Sequence, residues 1–241
     1  MALIKKPFGF GAGGGRTAAG DVSQTNLIFH FRADQGITTA TGVSAWTDIV
    51  SGSTQLAQST TANQPAYDSS ATVGTLADAG KMTFDGVNDS LYSADVKKTG
   101  QPIHIFTVFN PLEWVNNQHI FAGVAGSFIF TSRPSDPAYE IQAEVGGIGN
   151  TDFADDEWAL GITLFNGSSS SVAKNDGSPV TGNAGTGNMN GGFVLGGNAA
   201  LPPVTQWGNY ELGEILIYDA AITGSALTDI KSYINGQYEL Y

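Results

Sequence analysis

The sequence predicts an all-β fold, a two-sheet sandwich closed by one C-terminal helix. Three observations predict it. Charged residues make up 13% of the 241 residues, hydrophobic residues 41%, and there are 32 glycines. That is apolar enough for a core, too poor in Glu, Lys and Arg for a helical bundle, and rich in turn formers. Short alternating apolar runs recur from residue 26 to residue 218, divided by Gly, Pro, Asn and Asp. The period changes at the end of the chain, where Leu227, Ile230, Ile234 and Tyr238 recur at helical spacing and predict a helix over 224–238. Thr223 or Ser225 stands where a side-chain oxygen can accept its free first-turn N–H groups.

Residues 1–25 read as an extended Gly-rich arm, with residues 26–241 as the folded domain. Glycines 9, 11, 13, 14 and 15 leave the arm too flexible to fold alone. Lys5 and Lys6 are followed at once by Pro7 and a glycine-rich stretch, not by an apolar core, so no signal peptide is predicted. The arm carries Lys5, Lys6 and Arg16, three of ten basic residues, beside Leu3, Ile4, Phe8 and Phe10. A basic arm on an acidic body has the charge asymmetry of an interaction tail. These seven residues are the expected anchors to another subunit.

The body begins with NLIFHFRA at 26–33, where Leu27, Phe29 and Phe31 alternate with His30 and Arg32. His30, even with Asp34 nearby, reads as plain surface on the solvent side of that strand. Residues 43–49 hold Trp46, a core residue; residues 63–65 turn; residues 81–84 are a short strand. PIHIFTVFNP at 102–111 is apolar on both faces after His104, so it predicts a central strand buried on both sides. Residues 118–124 and 127–132 form a hairpin through Ala125 and Gly126. Strands follow at 138–145, 158–165, 171–175 and 191–197, and residues 176–190 read as a long loop. The strand at 210–218 hands over to the helix.

Three stretches carry a resemblance. GEILIYDAAITGSALTDIKSYINGQY near the end, LIFHFRADQGITTATGVSAWTDIVSGSTQLAQSTTANQPAY near the start, and MTFDGVNDSL at 82–91 resemble the laminin-G-like, concanavalin A-like jelly-roll domains found in phage virion and bacterial surface proteins. The resemblance spans residues 26–241 and implies a jelly-roll β-sandwich. It implies little about function, because lectins, glycosidases and structural proteins share that fold. Related domains often bind calcium near a sandwich rim, which draws attention to Asp85, Asn88 and Asp89. These put three oxygen-bearing side chains within five positions, a calcium donor set or an ordinary turn. The acidic run Asp152, Asp155, Asp156 and Glu157 reads as a solvated loop or a second cation site.

Other classes are excluded. A net charge of −12 repels nucleic acid and anionic membrane surfaces. There is no cysteine and no run of 18 apolar residues. Glycosidases of this fold resemble a strand bearing Glu-x-Asp-x-Glu, which is absent here; Glu211 and Glu214 are three apart and fall on opposite faces of a regular strand. The expectation is therefore a non-enzyme: a phage virion structural protein on a capsid or tail surface, homo-oligomeric, held to other virion subunits by its arm and displaying a lectin-like domain for weak glycan adhesion. Trp114, Trp207, Tyr210 and the 176–190 loop are the expected glycan contacts. The alternative is a freestanding carbohydrate-binding module of a secreted bacterial protein.

Overall fold

The computed structural model describes residues 22–52, 55–124, 128–132, 138–144 and 146–241. The anchors Leu3, Ile4, Lys5, Lys6, Phe8, Phe10 and Arg16 and the turn at Ala125 and Gly126 lie outside the described residues. Two antiparallel sheets face each other. In spatial order, with strands numbered along the chain, the first sheet holds β15 (Val180–Gly182), β14 (Ser170–Lys174), β13 (Ala159–Phe165), β8 (Ile103–Pro111), β17 (Asn209–Tyr218), β6 (Lys81–Asp85) and β5 (Ala66–Asp68), with β1 (Leu27–Arg32) also on β17. The second runs β12 (Ile148–Asn150), β11 (Tyr139–Gln142), β10 (Ile129–Ser132), β9 (His119–Gly123), β16 (Phe193–Leu195), β7 (Leu91–Ser93), β4 (Gln55–Ala57), β3 (Val43–Thr47) and β2 (Ile37–Thr39). This is the all-β sandwich that the alternation predicts.

β8 is the middle of the first sheet, and all nine of its residues are buried. Ile103, Ile105 and Phe109 join the core between the sheets, while Phe106 and Val108 point the other way into a second core. Both faces are covered, as its apolar character requires. The inner core is dense in rings: Phe109 meets Phe130 and Tyr139 at 5.6 Å, and Phe121 meets Phe193 at 5.6 Å. Edge-to-face and offset arrangements of this kind are the favoured aromatic geometries. Trp46 is fully buried and donates its indole N–H to the Arg32 carbonyl at 3.0 Å.

The second core lies on the outer face of the first sheet, beneath α1 (Gly224–Tyr238). The helix occupies the predicted span. Ile230, Ile234 and Tyr238 of the expected stripe are buried; Leu227 is half-buried, and Tyr233 joins them. Thr223 is the N-cap but makes no side-chain capping bond. The helix is thus held by its apolar stripe more than by its cap. Val22 is buried in the same core, and the Tyr218 hydroxyl donates to the Ser23 carbonyl at 3.0 Å.

β17 changes partners halfway. Residues 209–212 pair with β6 and residues 214–218 with β1, while β8 follows the other side. The register against β8 shifts between Leu212 and Glu214. Gly213 is the extra residue of this bulge; a Cβ there would meet Val73 at 3.3 Å and Val108 at 3.5 Å. The bulge overturns one expectation. Tyr210, Leu212, Ile215 and Ile217 face the inner core, while Glu211, opposite Asn110, and Glu214, opposite Val108, share the outer face.

Candidate functional site

Among the described residues, one pole of the sandwich gathers four connections, residues 86–90, 112–118, 151–158 and 196–208. Backbone hydrogen bonds tie them to one another. Gly86 N–H donates to the Gly208 carbonyl at 3.1 Å, Leu112 N–H to Asn209 at 3.2 Å, Asp156 N–H to Pro111 at 2.7 Å, and His119 N–H to Gln206 at 3.1 Å. Asp155 Oδ2 also accepts the Trp114 N–H at 3.0 Å. Asp85, Asn88 and Asp89, the acidic run at 152–157, Trp114 and Trp207 are therefore brought to one rim.

Three half-buried indoles belong to these connections; Trp158 packs against the second core, and Trp114 and Trp207 remain for the rim. Trp207 packs over Gly197, whose missing side chain makes room: a Cβ would lie 3.1 Å from the Trp207 ring and 2.7 Å from Pro203. The Trp114 indole nitrogen is buried with no hydrogen-bond partner. So is Nδ1 of His119, at the foot of the 196–208 loop. Burial pushes the His119 pKa down to about 4, against the raising effect of a bond to Gly197, and keeps the ring neutral. Unpaired buried polar atoms are rare and ask for an explanation.

The rim also exposes aliphatic side chains that the sequence reading missed. Among the described residues, four of the seven exposed large hydrophobics are here: Val87 at 65%, Val115, Leu201 and Val204 at 64%. Only Val87 carried a signal, as a valine directly after Asp85-Gly86 in a turn. Around them stand exposed Asp85, Glu113, Asp152, Asp155, Asp156 and Glu157. The four loops contain no Lys or Arg. Lys174 reaches in to Glu157 at 2.7 Å.

Within residues 85–89 the carboxylates serve the turn. Asp85 Oδ1 accepts the N–H groups of Val87 at 2.8 Å, Asn88 at 3.2 Å and Asp89 at 3.4 Å, and Asp89 Oδ2 accepts the Asp85 N–H at 3.2 Å. Asp89 is 6% exposed, and burial with the nearby Asp85 charge raises its pKa to about 7. Among the described residues no three His, Cys, Asp or Glu side chains are grouped to hold a metal.

Tyr210, expected on the glycan platform, lies instead in the inner core. It is fully buried, stacks on Phe84 at 4.6 Å and donates its hydroxyl to the Ile120 carbonyl at 2.8 Å, so no ligand can reach it. The 176–190 loop contains β15, and its Asp176 pairs with Lys231 of the helix at 2.6 Å, away from the indoles.

His30 is a second correction. It is 1% exposed, and its Nε2 lies 2.6 Å from Glu214 Oε1. Glu214 is fully buried and also accepts the hydroxyls of Tyr233 at 3.1 Å and Tyr238 at 2.6 Å. Burial alone would raise its pKa. The His30 bond and charge, the Tyr238 hydroxyl and the Arg32 charge outweigh burial and hold the carboxyl below its usual value. This lock sits on the helix-covered face because that face of β1 is covered rather than wet.

No family model matches the chain, and no curated protein matches it. Solved structures do. Domain 4 of AbnA, an extracellular GH43 arabinanase from Geobacillus stearothermophilus solved with arabinotriose, is similar at TM-score 0.61 and 14% identity, over 87% of this chain and 100% of that one. Trypanosoma rangeli sialidase is similar at TM-score 0.56 and 13% identity, over 89% of this chain. The chain spans 33% of that sialidase's length. The receptor-binding domain of botulinum neurotoxin type G is similar at TM-score 0.51 and 8% identity, over 88% of this chain and 52% of that one. At these identities the likeness establishes the β-sandwich fold.

Proposed function

We propose that this chain is a non-catalytic, lectin-like carbohydrate-binding sandwich, and that its sugar site is the loop rim. The observation that carries this is the pair Trp114 and Trp207, half-exposed on loops held to one pole, with an unpaired buried indole N–H on Trp114. Flat indole faces suit the apolar faces of sugar rings. The non-catalytic reading is supported by the two carboxylates that the bulge brings to one face. Glu214 is sealed under the helix by three hydrogen bonds, out of reach of a glycan. Acid–nucleophile or acid–base pairs need both groups at the scissile bond.

The arabinotriose bound to the AbnA domain and the likeness to a sialidase suggest the first probes. Titration calorimetry with arabinotriose, sialic acid and a panel of neutral oligosaccharides should find a binder among them. Trp207→Ala and Trp114→Ala should each weaken it about tenfold or more while leaving the melting temperature within a few degrees. A wild-type chain that binds nothing in the panel, or Trp variants that bind as well as wild type, would sink the reading.

The finer expectation, a homo-oligomeric place on a virion surface, belongs to the same proposal. Its support is the composition of residues 1–20, basic and apolar on an acidic chain. Its first requirement is that the full chain self-associates.

A further inference from the structure

The chain has a basic, apolar segment in residues 1–20 and an acidic, apolar rim, and the first described residues lie at the pole opposite that rim. β17 runs from Asn209 at the rim to Tyr218 at the far end, ten residues or about 30 Å. Residues 22 and 23 lie at that far end, beneath Tyr218. The preceding 21 residues can extend about 70 Å from there. They carry Lys5, Lys6 and Arg16 with Leu3, Ile4, Phe8 and Phe10. Among the described residues the rim offers the reverse: six exposed carboxylates, four loops without Lys or Arg, and four exposed aliphatic side chains.

We infer that residues 1–20 of one copy dock on the loop rim of the next copy, head to tail, through Lys5 and Lys6 against the rim carboxylates and the arm's apolar residues against Val87, Val115 and Val204. The loops that carry these aliphatics are hydrogen-bonded to one another or to the strand ends between them, so one apolar segment can reach across them. A sugar would leave them uncovered, because its hydroxyls gain nothing from valine. The surrounding charge selects a cationic partner and speeds its arrival. A contact between different patches on identical copies does not close on itself in a pair; it propagates into rings or chains. The inference does not depend on sugar binding, but both use the Trp114 and Trp207 rim, so arm and sugar compete for it.

Light scattering on the full chain after size exclusion tests this. Wild type should show masses above the 25.1 kDa of one chain, rising with concentration. The apparent dissociation constant should rise at least about tenfold between low and high salt, because the contact is between exposed charges. Two charge reversals locate it. The arm variant Lys5→Glu/Lys6→Glu and the rim variant Glu113→Lys/Asp152→Lys should each run as a single chain. Both rim positions are exposed, and neither carboxylate accepts a hydrogen bond among the described residues, so the fold should survive. Mixing the two variants should restore the multimer, because each reversed surface then finds its complement. A wild type that is a single chain at every concentration overturns the proposal, including the case where the arm folds back on its own rim. Variants that still multimerise, or a mixture that does not, also overturn it. Failure of glycan binding by the arm variant, whose rim is left uncovered, would sink the sugar reading alone.

Discussion

The two surfaces that carry polar chemistry behave in opposite ways. Under the helix, Glu214, His30, Tyr233 and Tyr238 are buried and satisfy one another. At the rim, Trp114 and His119 each keep a buried polar atom unpaired, while carboxylates and valines stand in solvent. A satisfied buried network fixes one structure. A rim of half-buried indoles and exposed side chains is where a ligand can add contacts the protein lacks. The first surface should therefore respond to mutation through stability, the second through binding.

The largest expected break is Glu214→Ala. It removes the carboxylate on which His30, Tyr233 and Tyr238 converge and should cost about 3–5 kcal/mol in urea unfolding. A loss below about 1 kcal/mol would mean that the lock is incidental. Ile234→Ala, which hollows the second core, should follow at about 2–4 kcal/mol.

Acid should act through the histidines. Burial pushes His104 and His119 down to about 4, below their ordinary value near 6.5. Between those values the unfolded chain binds more protons than the folded one, so stability falls as pH drops from about 6.5 to 4. Asp89, raised to about 7, works the other way: from about 7 down to 4 the folded chain holds the extra proton. Two histidines outweigh one aspartate, so the net effect is loss of stability in acid, and Asp89→Asn should steepen it. Melting curves at pH 7 and pH 5 check both signs.

Rim changes come last in stability. Trp207→Ala belongs to this class, with its main effect on ligand. Val204→Ser should change unfolding free energy by less than about 0.5 kcal/mol. Calcium should do least: Asp85 Oδ1 already serves three N–H groups, so melting in calcium and in chelator should agree within about a degree. A rise of several degrees would instead assign Asp85, Asn88 and Asp89 to the ion.

What could be read from the sequence follows burial. β8, the strand at the end of the chain and the helix span are plain in the alternation and in the change of period, since long buried elements must carry a pattern. Strands of three residues, such as β2, β5 and β12, are too short for any period to show. The facing of Glu214 was hidden by the bulge at Gly213, although an isolated glycine inside a strand pattern is itself a bulge signal. Tyr210 was readable as core, because it shares its face with Leu212. His30 was not, because the helix that covers it lies two hundred residues later. Asp85, Asn88, Asp89, Trp114 and Trp207 stood out singly, but long-range pairing alone brings their loops together.

The pairing of β1 with the second half of β17 sets a condition on how the molecule is made. Residues 27–32 leave the ribosome early and wait for residues 214–218 before their backbone finds its partner. β8 finds β13 on one side first, but its other side waits for β17 over residues 104–111. Contacts so distant in sequence favour slow folding and prolong the time that unpaired strand edges are exposed. A nascent chain in that position needs a way to stay apart from its siblings, and a formal charge of −12 on 241 residues supplies one.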